Sequence, residues 1–313
     1  MSYRWRRRGE QVTVLAEAYA RSKSINRVHG RSYYLATRLL PAVKRPHVHA
    51  LYGFMRRADD IVDALAGSED RQRGLDEFGG AFLTGLAGGP VDDPVLPAVL
   101  HTAATYDLDP EDFDMFLRSM AMDLKVTGYR TYDDLLDYME GSAAVVGTLM
   151  LPILGLARGV PASAVPVARE AARQLGLGFQ FTNMIRDVGE DLERGRVYLP
   201  EEDLDRYGVT RARLARDVVA GSSSEPVRAL IEHEYGRALL HYRAALPGLS
   251  LLEPRSRFAI RAATLLYGGI LDRVRSGGYE VLAGRIRVPR LSRALLVACA
   301  ASDRLFAART ASW

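Results

Sequence analysis

Residues 52–63 read YGFMRRADDIVD, and residues 180–191 read QFTNMIRDVGED. Each stretch lies in a segment with the apolar content of a helix, and residues three or four apart in a helix share a face. The first stretch therefore predicts a polar stripe, which consists of Tyr52, Arg56, Asp59, Asp60 and Asp63. The second predicts another, which consists of Gln180, Asn183, Asp187 and Asp191.

Stacked carboxylates repel one another, and a buried carboxylate without a partner is costlier still. We therefore expect positive charge between the two stripes. Mg²⁺ fits this requirement, because it prefers oxygen ligands, takes one or two carboxylates and completes its shell with water and substrate phosphates. The alternative is a pair of solvated helix faces. That interpretation is favoured for either stripe alone, but two stripes flanked by arginine and apolar residues argue against it.

Composition narrows the class of protein. The chain has 313 residues, of which 48% are hydrophobic, and this is enough for one large globular domain or two smaller ones. A net charge of +4 favours anionic partners only weakly, and the basic residues form no concentrated patch, so we expect no nucleic-acid binding. The single cysteine, Cys299, leaves no disulfide framework and indicates a reducing compartment.

No secretory signal peptide is visible, and no apolar run approaches the roughly 18 to 20 residues of a membrane span. We expect a cytoplasmic protein, with peripheral contact at a membrane surface left open. The basic residues 1–18 are predicted to form a frayed N-terminus, although the pattern over 11–24 is typical of a helix.

Helical spacing recurs along almost the whole chain, and strand alternation is scarce. Glycine, proline and serine clusters divide the sequence into helices without an interdomain linker, which predicts one all-α domain over 19–313. Pro46 suits the first turn of the helix that carries the first stripe. On that helix Val48, Leu51 and Met55 share the face of the acidic residues, which predicts a central cavity inside a helical bundle.

Three further segments carry interpretations that remain open. The methionines of residues 113–123 suit either core packing or the wall of an apolar pocket. The small residues of 141–147 suit either a close helix approach or space for a ligand. Arg194 and Arg196, which follow the second stripe, could hold phosphate oxygens or could neutralise Glu190 and Glu193 at the surface.

These residues resemble the phytoene/squalene synthase family, from about Tyr19 to Pro289. The resemblance rests on residues 29–41 (HGRSYYLATRLLP), the box DDIVD at 59–63, the small-residue segment 141–147 and the motif from Asn183 to Pro200. The amino-acid sequence of residues 122–124 and 138–144 is most similar to that of bacterial, especially actinobacterial, phytoene synthases. The resemblance implies an all-α, isoprenoid-synthase-type helical bundle with a central cavity.

The resemblance also implies residue roles. Magnesium would be bound by Asp59, Asp60 and Asp63 on one side and by Asn183, Asp187 and Asp191 on the other. Catalysis would depend on Asp59, Asp63, Asp187, Asp191 and Tyr267. Substrate would be bound by Arg31, Tyr33, Tyr52, Arg56, Gln180, Arg186, Tyr198 and Arg285. Two positions depart from the family: Gly30 stands where serine is frequent, and Glu140 where some members have an aromatic residue.

The implied activity is a magnesium-dependent, head-to-head condensation of two isoprenyl diphosphates, with two geranylgeranyl diphosphates giving phytoene through a cyclopropyl diphosphate. No dinucleotide fingerprint is present, and no NADPH is expected. One alternative is a member with other substrates, which makes dehydrosqualene or squalene from farnesyl diphosphate or prenylates an aromatic acceptor. Another is a non-catalytic phosphate-binding module, whose two stripes need not face each other. The oligomeric state stays open.

Overall fold

The computed structural model describes residues 8–64, 67–311 and 313, without the side chains of residues 8–11, 31 and 32. This part of the chain forms sixteen α-helices: α1 (Arg8–His29), α2 (Arg31–Leu39), α3 (Arg45–Val62), α4 (Ser68–Leu86), α5 (Leu96–Tyr106), α6 (Pro110–Met122), α7 (Tyr132–Met139), α8 (Val145–Leu154), α9 (Val165–Arg186), α10 (Val188–Glu193), α11 (Glu201–Arg206), α12 (Arg211–Ala220), α13 (Glu225–Leu249), α14 (Pro254–Ser276), α15 (Arg290–Ala300) and α16 (Asp303–Thr310). Its only β contacts are two isolated bridges, so the predicted all-α class is confirmed.

The N-terminal helix α1 begins at Arg8 and contains the helix predicted over 11–24. It runs through residue 18, whereas residues 1–7 of the predicted frayed segment lie outside the described residues. The division of the chain at residue 18 stays a prediction. Among the described residues, none of the helices combines the length and hydropathy that crossing a bilayer requires.

Helix α9 packs along α13 on one side and α8 on another. The α13 contact includes a buried hydrogen bond between Thr182 Oγ1 and Tyr242 Oη at 2.8 Å. On the α8 side the backbones approach very closely: a Cβ at Gly147 would lie 2.0 Å from the carbonyl oxygen of Ala172. The small residues of 141–147 therefore serve a close helix approach, one of the two interpretations left open.

Helix α3 is held from behind by a cluster of phenylalanines. Phe54 lies 5.1 Å from Phe78, 5.1 Å from Phe82 and 5.2 Å from Phe113, measured between ring centroids, and all four are buried. Pro46 lies in the first turn of α3, as predicted, and the helix ends at Val62 with Asp63 as its C-terminal cap. Aromatic packing thus fixes the helix that carries the first acidic stripe.

Gly147→Ala should destabilise the fold, because the added methyl would overlap a backbone carbonyl that has little freedom to move. We expect a loss of about 1–3 kcal/mol in the free energy of unfolding. Gly80→Ala is the matched control: Gly80 is exposed within α4 and nothing lies within 4 Å of its added Cβ. That change should stabilise by about 0.5–1 kcal/mol. Urea unfolding followed by circular dichroism measures both, and equal midpoints would contradict the close approach of α8 and α9.

Candidate active site

The helices surround a central cavity with a volume of about 1040 Å³. Of the site residues predicted from sequence, all except Arg31 and Asp60 line it, namely Tyr33, Tyr52, Arg56, Asp59, Asp63, Gln180, Asn183, Arg186, Asp187, Asp191, Tyr198, Tyr267 and Arg285. The two acidic stripes therefore face one space. The side chain of Arg31 lies outside the described residues.

Asp60 does not line the cavity. Its carboxylate is 45% exposed and pairs with Arg56, with Nη2 and Oδ1 2.5 Å apart. Consecutive helical residues point about 100° apart, so Asp59 and Asp60 face different directions, and it is Asp59 that faces inward. The acidic stripe on α3 is narrower than the sequence spacing predicts.

The carboxylates on the α3 side are Asp59 and Asp63. Burial raises the pKa of Asp59 to about 7; Arg56 opposes this, and the charges of Asp63 and other nearby carboxylates add to it. Asp63, at the end of α3, accepts a hydrogen bond from Arg196 Nη1 at 3.2 Å. Arg194 lies 3.9 Å from the same carboxylate.

The second acidic stripe lies on two helices, which corrects the expectation of one continuous helix. Helix α9 ends at Arg186 and α10 begins at Val188, with Asp187 between them. Backbone hydrogen bonds at 2.8 Å from Asp187 to Asn183 and from Asp191 to Asp187 keep helical spacing across the junction. The side chains therefore still share a face. Burial, followed by repulsion from Asp187, raises the pKa of Asp191 to about 7.

Arginines neutralise part of this charge. Arg186 Nε donates to Asp187 Oδ1 at 2.7 Å, and Arg285 lies 3.8 Å from the same oxygen and 3.1 Å from Glu190. Of the two interpretations of Arg194 and Arg196, neutralisation of Glu190 and Glu193 is not what the ion pairs of the described residues show. Both instead pair with Asp63, across the cavity from α10.

Asp123, at the end of α6, is a cavity residue that the sequence reasoning did not assign. Tyr138 Oη donates to its Oδ2 at 2.8 Å and Tyr198 Oη donates to its Oδ1 at 3.2 Å. Burial raises its pKa, although both hydrogen bonds and Arg196 lower it. Asp123 directly follows a helix with many apolar residues, as Asp63 does. That position in the sequence could have identified it as a candidate site residue. Tyr198, predicted to contact diphosphate, here contacts Asp123.

Aromatic rings line the cavity beside Arg186. Tyr33 lies 5.4 Å from Tyr267 and 6.1 Å from Tyr52, and Tyr267 stacks on Phe179 at 4.5 Å, between ring centroids. Burial raises the pKa of Tyr267 well above its ordinary value, so its phenol stays protonated. The remaining wall is mostly apolar, with side chains that include Leu51, Met55, Phe116, Met120, Val146, Met150, Met184, Leu266 and Ile270. Met120 is both buried and cavity-lining, so the two interpretations of the methionine segment are compatible.

The polar end of the cavity has the donor atoms that Mg²⁺ prefers. Asn183 Oδ1 is buried and has no hydrogen-bond partner, which leaves an acceptor oxygen free beside Asp187. Asp59 and Asp191 both have pKa values raised by burial, so a nearby cation would favour their charged forms. In the described part of the chain no three His, Cys, Asp or Glu side chains converge as a ready-made metal site. A metal held here would complete its shell with water or phosphate oxygens.

Gly30→Ser should change the cavity without unfolding the protein. An added Cβ at Gly30 would lie 2.7 Å from the Tyr52 ring and 2.7 Å from Asn26 Oδ1, and both contacts are with side-chain atoms, not with the backbone. We expect the ring of Tyr52 to shift and turnover of the protein's substrate to fall. In a double-mutant cycle, adding Gly30→Ser to Tyr52→Leu should have a smaller further effect, because the contact with the ring is gone and only the contact with Asn26 Oδ1 remains. Equal losses in both backgrounds would show that Tyr52 does not transmit the change.

Comparison of the sequence with known proteins identifies the family to which this chain belongs. Residues 26–292 match the model of the family described as Squalene/phytoene synthase. The chain is 33% identical to the 15-cis-phytoene synthase of Synechocystis sp. over 278 residues, which cover 87% of this chain and 81% of the relative. It is 33% identical to Phytoene synthase 3, chloroplastic, of Zea mays over 282 residues, which cover 89% of this chain and 64% of the relative.

Solved structures agree with the sequence relatives. A dehydrosqualene synthase crystallised with a ligand has a TM-score of 0.81 and 27% identity, covering 97% of this chain and 100% of that one. The squalene synthase HpnC from Alicyclobacillus acidocaldarius has a TM-score of 0.73 and 28% identity, covering 85% of this chain and 95% of that one. With two acidic stripes facing one cavity in an all-α bundle, the chain belongs to the squalene/phytoene synthase family of prenyltransferases.

Proposed function

We propose that this protein joins two isoprenyl diphosphates head to head, and that its substrates are two geranylgeranyl diphosphates, which give phytoene through a cyclopropyl diphosphate. One observation carries the proposal: the acidic faces of α3 and of α9–α10 look into the same cavity, and the rest of that cavity has mostly apolar walls. A diphosphate needs the charged end and an isoprenyl chain needs the apolar part. A non-catalytic phosphate-binding module would need no such arrangement.

The first chemical step is cleavage of an allylic C–O bond, which requires the charge of the departing diphosphate to be neutralised as it develops. Bound Mg²⁺ would supply part of that neutralisation, held by Asp59 and Asp63 on one side and by Asn183, Asp187 and Asp191 on the other. Arg186 and Arg285 lie beside Asp187 and can donate to phosphate oxygens.

The carbocation formed by ionisation has to be protected from water until the second substrate's double bond captures it. The apolar walls exclude water, and the faces of aromatic rings attract positive charge. Tyr33 and Tyr267 line the cavity next to Arg186, and Phe179 stacks on Tyr267. We place the diphosphate at the end of the cavity where Arg186 lies. Because burial keeps the Tyr267 phenol protonated, it can donate a hydrogen bond and is a poor base at neutral pH.

Chain length is the main alternative. The curated relatives from Synechocystis sp. and Zea mays are phytoene synthases, which supports geranylgeranyl diphosphate. The solved structure with a TM-score of 0.81 is a dehydrosqualene synthase, which is a specific reason to test farnesyl diphosphate. Met120 and Met150 line the apolar part of the cavity, where a longer chain would need room.

Asp59→Asn and Asp187→Asn should each lower turnover by about 100-fold or more, because each removes a charged oxygen ligand from the cavity. Asp60→Asn is the matched control on α3, since Asp60 does not line the cavity and makes an exposed ion pair. We expect less than about a fivefold loss there. Released diphosphate and circular dichroism would be measured for all three variants. Wild-type rates for Asp59→Asn and Asp187→Asn would exclude the metal assignment. A loss for Asp60→Asn equal to theirs would show that the residues lining the cavity are not the ones that define the metal ligands.

The substrate is tested directly by incubating the purified protein with Mg²⁺ and labelled geranylgeranyl or farnesyl diphosphate, without NADPH. A forty-carbon triene from the former is the expected product. A thirty-carbon hydrocarbon from the latter alone would overturn the phytoene assignment in favour of dehydrosqualene. Diphosphate binding without any hydrocarbon would contradict head-to-head coupling and direct attention to an aromatic acceptor, which would give one diphosphate per product.

A further inference from the structure

A second cavity, of about 380 Å³, lies among α1, α2, α3 and the loop that joins α2 to α3. No residue is common to its lining and that of the central cavity. Helix α2 nonetheless contributes to both, since Tyr33 lines the central cavity whereas Tyr34 lines the second. Helix α3 does the same, with Tyr52 on the central side and His49 on the other. The second cavity is therefore at the back of two helices that form the central one.

The charge of this second cavity is uniformly positive. Lys23, Arg38 and Arg45 line it, and its lining contains no aspartate or glutamate. None of the three has an ion-pair partner within the described residues, although most arginines around the central cavity are paired with carboxylates. Arg45 Nε donates to the carbonyl oxygen of Leu40 at 2.8 Å, which fixes its stem and leaves its two terminal nitrogens available.

Aromatic side chains, including Tyr34 and His49, line this second cavity. His49 is buried and stacks on Tyr34, with ring centroids 5.6 Å apart and an angle of 25° between the planes. Asn26 Nδ2 and His49 Nδ1 lie 3.0 Å apart, which fixes the imidazole. Burial, followed by the charges of Lys23 and Arg45, lowers the pKa of His49 to about 4. The imidazole is therefore neutral at pH 7, and the cavity's positive charge comes from the three basic side chains.

We infer that this second cavity is a binding site for a phosphate or diphosphate group. A concave surface lined by one sign of charge concentrates the opposite ion, and guanidinium groups donate paired hydrogen bonds to phosphate oxygens. The volume lies within the range of about 300–1,000 Å³ that small-molecule sites occupy. The group could come from free diphosphate or from the headgroup of an anionic phospholipid. An anion held here would tie α2 to α3 behind Tyr33 and Tyr52. The site does not depend on the reaction proposed above.

The test is equilibrium dialysis of labelled inorganic diphosphate without added divalent cation, using the full chain. The variant Lys23→Gln/Arg38→Gln/Arg45→Gln removes the three cations. The matched control, Arg130→Gln/Arg158→Gln/Arg216→Gln, removes the same charge from exposed positions that line neither cavity. A parallel arm measures sedimentation with vesicles of phosphatidylcholine and phosphatidylglycerol, compared with phosphatidylcholine alone. Circular dichroism checks that each variant is folded.

We expect the cavity variant to lose one class of diphosphate sites, or to bind at that class at least about tenfold more weakly, while the control behaves like the wild type. Loss of vesicle binding alone in the cavity variant would assign the site to a lipid headgroup and would equally support a phosphate site. Unchanged binding in both arms would overturn the inference. None of the three substituted residues lines the central cavity, so the cavity variant should still form product at saturating substrate. Measuring that product tests the proposed reaction separately from the second binding site.

Discussion

Burial of several carboxylates in one cavity, to which their mutual repulsion adds, is the constraint on which the rest of this structure depends. Burial and neighbouring carboxylates raise the pKa values of Asp59 and Asp191. The folded structure therefore disfavours the charged forms of both side chains. The helices that carry them have to be held by contacts elsewhere. Phe54 and its aromatic neighbours hold α3, and the Thr182–Tyr242 hydrogen bond ties α9 to α13. The hydrophobic core thus supports an unfavourable electrostatic arrangement that the proposed function requires.

Arginines compensate part of the carboxylate charge in the cavity. Arg196 reaches Asp63 from beyond the second acidic stripe, and Arg186 pairs with Asp187 on that stripe. A phosphate that recruits these guanidinium groups competes with the carboxylates for them. The carboxylates that lose their arginine partners then have unsatisfied charge, which favours a divalent cation beside the phosphate. In the proposed function, binding of an anionic substrate and binding of a cation would therefore be linked through the same side chains.

Much of the fold and of the site could be predicted from the sequence because their signals are local. Helical spacing, Pro46 and the two acidic stripes can each be recognised within a few residues of sequence. The family resemblance indicated that the two distant acidic motifs face each other. Asp123 was missed because its partners, Tyr138 and Tyr198, lie 15 and 75 residues away in the chain. The break at Asp187 is a change in the backbone angles of one residue. The inward position of Asp59, and not of Asp60, depends on how α3 is rotated in the bundle. The second cavity joins residues from three helices, and no spacing pattern brings those together.

The segment between α7 and α8 is a single π-helical turn, Glu140–Ala144. Tyr138, Ser142, Val146 and Met150 all line the central cavity, although steps of four residues drift by about 40° each in a regular α-helix. The wider π turn absorbs one additional residue and offsets part of that drift. Val145 and Leu149, which an unbroken helix would present instead, are buried in the core. A homologue with one residue fewer here would expose a different set of side chains to the substrate. Insertion and deletion, as well as substitution, can therefore remodel the product specificity of such a scaffold.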